Sequence, residues 1–263
     1  MEAHMWLAAK NGQLSYLQEI LRDNPVINVN WGNRTGWTAL HFACHKGYGP
    51  ILALLLAHPD IDVNLKTDSG FTPFMHSFAN GKTSPVRLML KDSRVQVNEP
   101  HSDGYGPLRC AASAGFLDVI KWWIVSGREM DLGKPGDDRT DAIWAAKKDG
   151  KTGVVTLLER FKENPEKTRQ QVRMEVGWHD EAAAEIFALV VFVSDGLLQV
   201  KDSTTPLPAA RFFNISRSLP LELQMVLCYR VVGSGKEIIP GKDSEVAFKE
   251  LAETLVWSSI FAN

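Results

Sequence analysis

The chain is short of several things at once, and each shortage excludes a class. It has three cysteines in 263 residues, Cys44, Cys110 and Cys228, and they lie far apart. An odd, sparse set does not make a disulfide framework and fits a reducing compartment. Net charge is nearly absent: 29 basic against 31 acidic side chains, a formal −2. Residues 1–162 carry 19 basic and 17 acidic groups, and residues 163–263 carry 10 and 14. Neither part offers the basic face that nucleic acid or an anionic membrane requires. Long apolar runs are also missing. The most apolar stretch, Ala182 to Val193, is about a dozen residues and contains Glu185. A bilayer crossing needs roughly 20 apolar residues, so this segment reads as a buried helix. Met1-Glu2-Ala3-His4 has no basic region ahead of an apolar run, so no secretory leader is expected. No H-E-x-x-H, G-x-S-x-G or paired C-x-x-C occurs. The expectation is therefore a non-enzymatic protein with no cofactor, no metal and no small-molecule substrate. It is expected in the cytoplasm, with the nucleus left open.

What the chain does have is a period. Ile27-Asn28-Val29-Asn30, Ile61-Asp62-Val63-Asn64 and Val95-Gln96-Val97-Asn98 place three Asn 34 residues apart. Seven residues after each Asn comes an aromatic: Trp37, Phe71, Tyr105. Gly12, Gly47, Gly81, Gly115 and Gly150 follow at spacings of 35, 34, 34 and 35. Each Gly is expected to close a short helix, four of which carry small residues: Leu7-Ala8-Ala9, Phe42-Ala43-Cys44, Cys110-Ala111-Ala112 and Trp144-Ala145-Ala146. A second apolar run follows each Gly with members three and four apart, expected to form one buried face: Tyr16, Leu17, Ile20 and Leu21; Ile51, Leu54, Leu55 and Leu56; Val86, Leu88, Met89 and Leu90; Val119, Ile120, Trp123 and Ile124; Val154, Val155, Leu157 and Leu158. The unit is thus helix, Gly turn, helix and extended loop, and a fixed period of this length marks a stacked array. Five units are counted, at about 1–30, 31–64, 65–98, 99–133 and 134–162.

Gly36-Trp37-Thr38-Ala39-Leu40-His41-Phe42-Ala43-Cys44 resembles the ankyrin signature G-x-T-P-L-H-x-A-A. Phe71-Thr72-Pro73-Phe74-Met75 and Gly104-Tyr105-Gly106-Pro107-Leu108-Arg109 are weaker copies, and Val-Asn resembles the family's D-V-N loop. Tetratricopeptide repeats share the period but lack the T-x-L-H start and the extended Val-Asn loop. The resemblance covers roughly 60% of the chain and implies an all-α solenoid. It also implies a turn hydrogen bond at His41, lost or replaced where Met75 and Arg109 stand instead. Phe78 and Ser77, in place of small Ala residues, should alter helix spacing in the third unit. The end units are atypical, as an array requires.

Residues 163–263 read as a helical C-terminal domain docked on the last repeat. A helix is expected to end at Gly177, a second to run from an Asp180 cap to about Val193, and Ser203 to Pro208 to form a loop. Ala209 to Ile215 is a short apolar run, a Ser218-capped helix follows with an early Pro220, and a last one is capped by Asp243 or Ser244. Leu219-Pro220-Leu221-Glu222-Leu223 resembles the L-P-x-E-[LI] opening of an F-box over five residues of the forty or so such a box requires, and an ordinary capped core helix is the simpler account of it.

Other groupings have plainer readings beside them. His41, Cys44 and His45 share a helix and superficially suggest a metal site, but His41 occupies the signature position. Gly233-Ser234-Gly235-Lys236 lacks the first Gly and the Ser/Thr of a phosphate loop. Trp122 and Trp123 stand at core-type positions.

By the resemblance, Trp37, Phe71 and Tyr105 lie near the fingertip loops on the concave side and stack one repeat apart as a stripe. Two readings stay open: partner anchors, which aromatics often are, or shields of the turn. Arg34, Thr35, Asp68, Ser69, Ser102 and Asp103 would form a polar rim of mixed charge, suited to a protein partner. The function expected is a scaffold that binds a protein of unknown identity on the concave ankyrin face. The alternative is an adaptor, F-box-like, linking that partner to a larger complex such as a ubiquitin ligase through the C-terminal domain.

Overall fold

The computed structural model describes residues 1–198, 208–216 and 219–260. They form fifteen helices and no strand, with one isolated bridge between Gly32 and Thr38. They fall into two compact units, one of Met1–Val172 together with residues 257–260, the other Arg173–Val256.

The first unit is an all-α solenoid of five helix pairs. They are α1 (Glu2–Asn11) with α2 (Leu14–Asp23), α3 (Ala39–Lys46) with α4 (Gly49–Leu56), α5 (Pro73–Ala79) with α6 (Thr83–Lys91), α7 (Pro107–Ala114) with α8 (Leu117–Ser126), and α9 (Ala142–Lys148) with α10 (Thr152–Glu163). Local chemistry starts them. The Thr38 and Thr72 hydroxyls accept from the amides of His41 and Met75, and the Asp141 carboxylate accepts from Ile143 and Trp144. Pro73 and Pro107 occupy first turns, where a missing N–H costs nothing. Gly12, Gly47 and Gly115 end helices in the left-handed conformation. Gly81 and Gly150 take that conformation one residue later, after the caps Asn80 and Asp149, so the period is kept but the stop is displaced.

Small residues face the next pair. Ala8, Ala9, Ala43, Cys44, Ala111, Ala112, Ala145 and Ala146 are all buried, which lets helices approach closely. The second helices bury most of the expected stripes, but Leu56, Leu88 and Val155 are half-buried and Tyr16 is exposed. In the third pair, Phe78 and Ser77 are fully buried. Phe78 packs edge-on to Trp123 at 4.9 Å, and the Ser77 hydroxyl donates to the Phe74 carbonyl at 2.7 Å.

The Val-Asn loops hold the pairs in order. Val29, Val63 and Val97 point inward, all buried. Each following Asn uses both ends of its amide on the next loop. Asn30 donates to the Asp60 carbonyl (2.7 Å) and accepts from the Asp62 amide (2.9 Å). Asn64 does the same with Arg94 (2.8 Å) and Gln96 (2.8 Å), and Asn98 with Glu129 (3.2 Å) and Asp131 (3.0 Å). The ladder stops at Gly133, which stands where a fourth Asn would. Its φ is +81°, and a Cβ there would collide with the Thr140 carbonyl, so only glycine fits.

Helix α11 (Pro165–Glu175) follows. Its Thr168 donates to the Arg160 carbonyl at 2.9 Å and its Arg169 to the Ile124 carbonyl at 3.1 Å, and Val172 is buried. The second unit comprises α12 (Trp178–Ser194), α13 (Pro208–Ser216), α14 (Leu221–Val231) and most of α15 (Gly241–Ile260). Ala183, Ala184, Phe187, Ala188 and Val190 of α12 pack with Cys228, Tyr229, Ile239 and Ala247. The cap positions here differ from expectation. Gly177, not Asp180, precedes α12, because Asp180 is engaged elsewhere: it accepts from the Tyr229 hydroxyl (2.9 Å) and from Lys236 (2.7 Å). The last helix begins at Gly241, ahead of Asp243 and Ser244. Pro220 caps α14, and Ser218 and the 203–207 loop lie outside the described residues.

Replacing Asn64 with Ala removes two hydrogen bonds between neighbouring loops. The expected loss is about 1–2 kcal/mol of stability by urea unfolding, and Asn64→Asp, which keeps only the acceptor, should lose about half of that.

Candidate functional site

Three five-residue turns project from the array, one before each of α3, α5 and α7. The Asn33 side chain accepts from the Thr35 amide (3.0 Å), the Thr35 hydroxyl (2.9 Å) and the Trp37 amide (3.0 Å). The Thr67 amide donates to the Phe71 carbonyl (3.0 Å), and the His101 amide to the Tyr105 carbonyl (3.2 Å). Gly36, Gly70 and Gly104, at φ of +74°, +79° and +85°, make the reversals possible. Neighbouring tips are tied together: the Asp68 amide donates to the Thr35 carbonyl (3.2 Å) and the Ser102 amide to the Ser69 carbonyl (3.3 Å). Arg34, Thr35, Asp68, Ser69, Ser102 and Asp103 are all exposed along this edge, while Trp37, Phe71 and Tyr105 are half-buried behind it.

The aromatics belong to a longer row than the sequence suggested, in which histidines alternate with them. Trp37 meets His76 at 4.3 Å between ring centres, His76 stacks on Phe71 at 5.0 Å, and Phe71 stacks on His101 at 4.8 Å with planes 7° apart. His101 meets Tyr105 edge-on at 5.0 Å, and the Arg109 guanidinium covers Tyr105 at 4.1 Å. At the other end Trp37 packs on Phe42 (4.7 Å), Phe42 on Trp6 (5.0 Å), and the Trp6 indole donates to the Trp37 carbonyl at 2.7 Å. The expected stripe of three is therefore a mixed stack, with His76 and His101 as its missed members. Nothing local marks them as members of a row, since each joins an aromatic of its own repeat to one of the preceding repeat.

Burial sets the protonation of these histidines. His41 Nδ1 accepts from the Thr38 amide at 3.2 Å and lies 2.8 Å from its hydroxyl, while Nε2 lies 3.2 Å from the Phe71 carbonyl. That pattern assigns the proton to Nε2, which donates to Phe71. The turn bond implied by the ankyrin resemblance is thus present, and it also joins two repeats. Both nitrogens are occupied, so His41 has no lone pair to offer a metal. Burial lowers its pKa to about 4. His76 is lowered to about 3, first by burial and then by its neighbours His41 and His45. His45 and His101 are lowered too, again mainly by burial. The His45 Nδ1 and His76 Nε2 atoms are buried with no hydrogen-bond partner. The buried Cys44 thiol is pushed upward, which makes it a poor nucleophile.

Where His is absent the link changes. Met75 is simply buried, leaving only the Thr72 cap. Arg109 replaces the bond, donating from Nε (3.3 Å) and Nη2 (3.1 Å) to the Asp138 carbonyl of the next loop. Elsewhere, Lys236 of the Gly-rich loop is bound to both Asp180 oxygens at 2.7 Å within the second unit. Trp123 is core and Trp122 lies half-buried under the Arg87 guanidinium at 4.2 Å. Leu221 and Leu223 of the F-box-like segment are about half exposed.

A solenoid of helix pairs with projecting turns and a Val-Asn ladder defines a repeat-type interaction module. The family model for ankyrin repeats matches residues 2–67 and 49–134, and the chain belongs to the ankyrin-repeat family. It is 36% identical over 146 residues to the SMC5-SMC6 complex localization factor protein 1 of Bos taurus, covering 52% of this chain and 13% of that protein. It is 31% identical over 129 residues to the putative ankyrin repeat protein YahD of Escherichia coli, covering 46% and 61%. It is 23% identical over 211 residues to the Target of rapamycin complex 2 subunit AVO2 of Saccharomyces cerevisiae, covering 76% and 46%. The chain thus spans only part of each of these relatives. Among the described residues, no helix is long and apolar enough to cross a membrane.

The neutral histidines make stability fall in acid. A free imidazole titrates near 6.5, so each lowered group is fully stabilising above that pH and loses ground as pH falls from 6.5 toward its folded value. His41 alone should cost about 3 kcal/mol between pH 6.5 and 4. Urea midpoints measured across this range should fall steadily in the native chain and less steeply in His76→Gln.

Proposed function

We propose that the protein is a non-catalytic scaffold that holds a partner protein along the fingertip edge and the concave face behind it. The observation that carries this is the edge itself. Six exposed polar residues, Arg34, Thr35, Asp68, Ser69, Ser102 and Asp103, line an edge whose tips are tied by backbone bonds from Asp68 to Thr35 and from Ser102 to Ser69, and which is backed by the ring row. A surface ordered before binding loses less entropy when a partner arrives. Trp37, Phe71 and Tyr105 keep part of their surface open and serve as anchors within that edge, with the mixed-charge tips as rim. Membership of the ankyrin family supports a protein-interaction role, and two relatives are named for complexes, one as a localization factor and one as a subunit. The raised thiols and the histidines held neutral in packing roles support a non-enzymatic reading. A protein partner of unknown identity, with no nucleic acid or small molecule, in the cytoplasm or nucleus, completes the proposal. The helical region 163–263 would act as a companion domain.

The adaptor alternative rests on one observation, the exposed Leu221 and Leu223 at the start of α14. Replacing both with Ser should leave folding intact and release any second component held there.

For the main reading, Arg34→Glu, Asp68→Lys and Asp103→Lys are combined, since exposed substitutions leave the ring row untouched. The melting temperature should stay within a few degrees, and binding to proteins retained by the native chain should drop at least tenfold. Retention equal to the native chain would contradict the proposal.

A further inference from the structure

The tip-to-tip ladder has an unfinished end. The Thr35 and Ser69 carbonyls each accept the amide of the following tip, Asp68 and Ser102. One period on, the equivalent acceptor is the Asp103 carbonyl and the equivalent donor is Gly136. The Gly136 amide instead donates to the Asp141 carboxylate at 2.8 Å, and the Asp137 amide to the Lys134 carbonyl at 3.0 Å. The fifth loop has folded onto itself. The tip glycines record the same break. A Cβ at Gly36 would lie 3.0 Å from Thr67, and one at Gly70 would lie 2.6 Å from the Ser102 amide. At Gly104 a Cβ would meet nothing within 4 Å.

The gap is a cleft of about 590 Å³, walled by Ser102, Asp103, Gly104 and Tyr105 on one side and Asp137, Arg139 and Thr140 on the other. A smaller cavity of about 140 Å³ shares Gly104 and Thr140 with it and is lined further in by Arg109 and Trp123. Trp123 is fully buried, and its indole N–H has no acceptor. An orphaned buried donor beside a cavity calls for a missing acceptor.

We propose that this seam binds an extended segment of a partner protein, which adds to the turn before α7 as the turns before α5 and α7 each add to the one preceding them. Its backbone N–H donates to the Asp103 carbonyl, and an acceptor oxygen of the segment reaches the Trp123 indole through the inner cavity. This is strand-type addition, in which main-chain bonds give affinity. The walls mix Asp103 and Asp137 with Arg139, so recognition rests on the backbone, and the segment is built of small polar residues like the tips themselves. The inference rests on the fingertip edge being the partner-facing surface, and narrows it to one place. The two fail separately, because the seam is tested below without any partner from the cell.

The probe is the synthetic peptide of residues 65–72, acetylated and amidated, whose Asp68 amide makes the equivalent bond to Thr35 within the chain. It is titrated to millimolar concentration into the isotope-labelled full chain and followed by NMR. Shifts should concentrate at Ser102–Tyr105, residues 137–140 and the Trp123 indole signal. The same peptide N-methylated at Asp68 lacks the donor and should bind about tenfold more weakly. No shifts, shifts centred elsewhere, or equal binding by the N-methylated peptide would overturn the proposal.

Discussion

The array depends on one bond pattern more than on any other: a side-chain amide that donates to one backbone group of the next loop and accepts from another. Helix propensity and apolar stripes form each pair, but a pair of helices of 7 to 12 residues cannot bury its own face. Stacking supplies the burial, and Asn30, Asn64 and Asn98 fix the spacing at which stacking occurs. The three amides satisfy backbone groups in loops that have no sheet or helix to satisfy them. Because each acts across one repeat, the solenoid is held by nearest-neighbour terms, and the two ends look as they do for the same reason. Gly133 offers no side-chain amide, and the fifth loop uses its own carboxylate, Asp141, to close on itself.

A second set of links runs parallel to the first on the fingertip side. His41 and Arg109 reach the next loop's carbonyls, and His76 and His101 fill the spaces between successive aromatics. The imidazole does here what a larger apolar ring would do, with a polar edge left over. That edge is a liability at low pH and a source of order at neutral pH. The same row makes the exposed tips rigid, which is the property a binding edge needs.

Much of the first unit was legible because its determinants are local and periodic. The 34-residue spacing, the small residues before each Gly and the Thr38-to-His41 pairing all lie within one repeat. Tyr16 escaped because its helix stripe predicts burial only where a neighbour covers it. The histidine row was not legible, since Trp37 and His76, or Phe71 and His101, are joined across 30 or more positions by the stacking itself. In the second unit the polar residues near helix starts misled. Asp180 has the composition of a cap, yet it sits in the first turn with Tyr229 and Lys236 as partners; Gly177 precedes that helix without a side-chain cap, and the last helix opens at Gly241, ahead of Asp243 and Ser244. The fold sets where the fingertip positions lie; which of them a partner touches depends on surfaces that folding does not determine.

Native-state hydrogen exchange tests the central claim most directly. The amides of Asp62, Gln96 and Asp131 sit in exposed loops and donate to Asn30, Asn64 and Asn98. If these bonds hold the array together, the three amides exchange only through the opening that also exposes buried helical residues such as Leu55 and Leu90, with matching free energies. Exchange near the unprotected rate, as in a loop with no structural bond, would contradict the account.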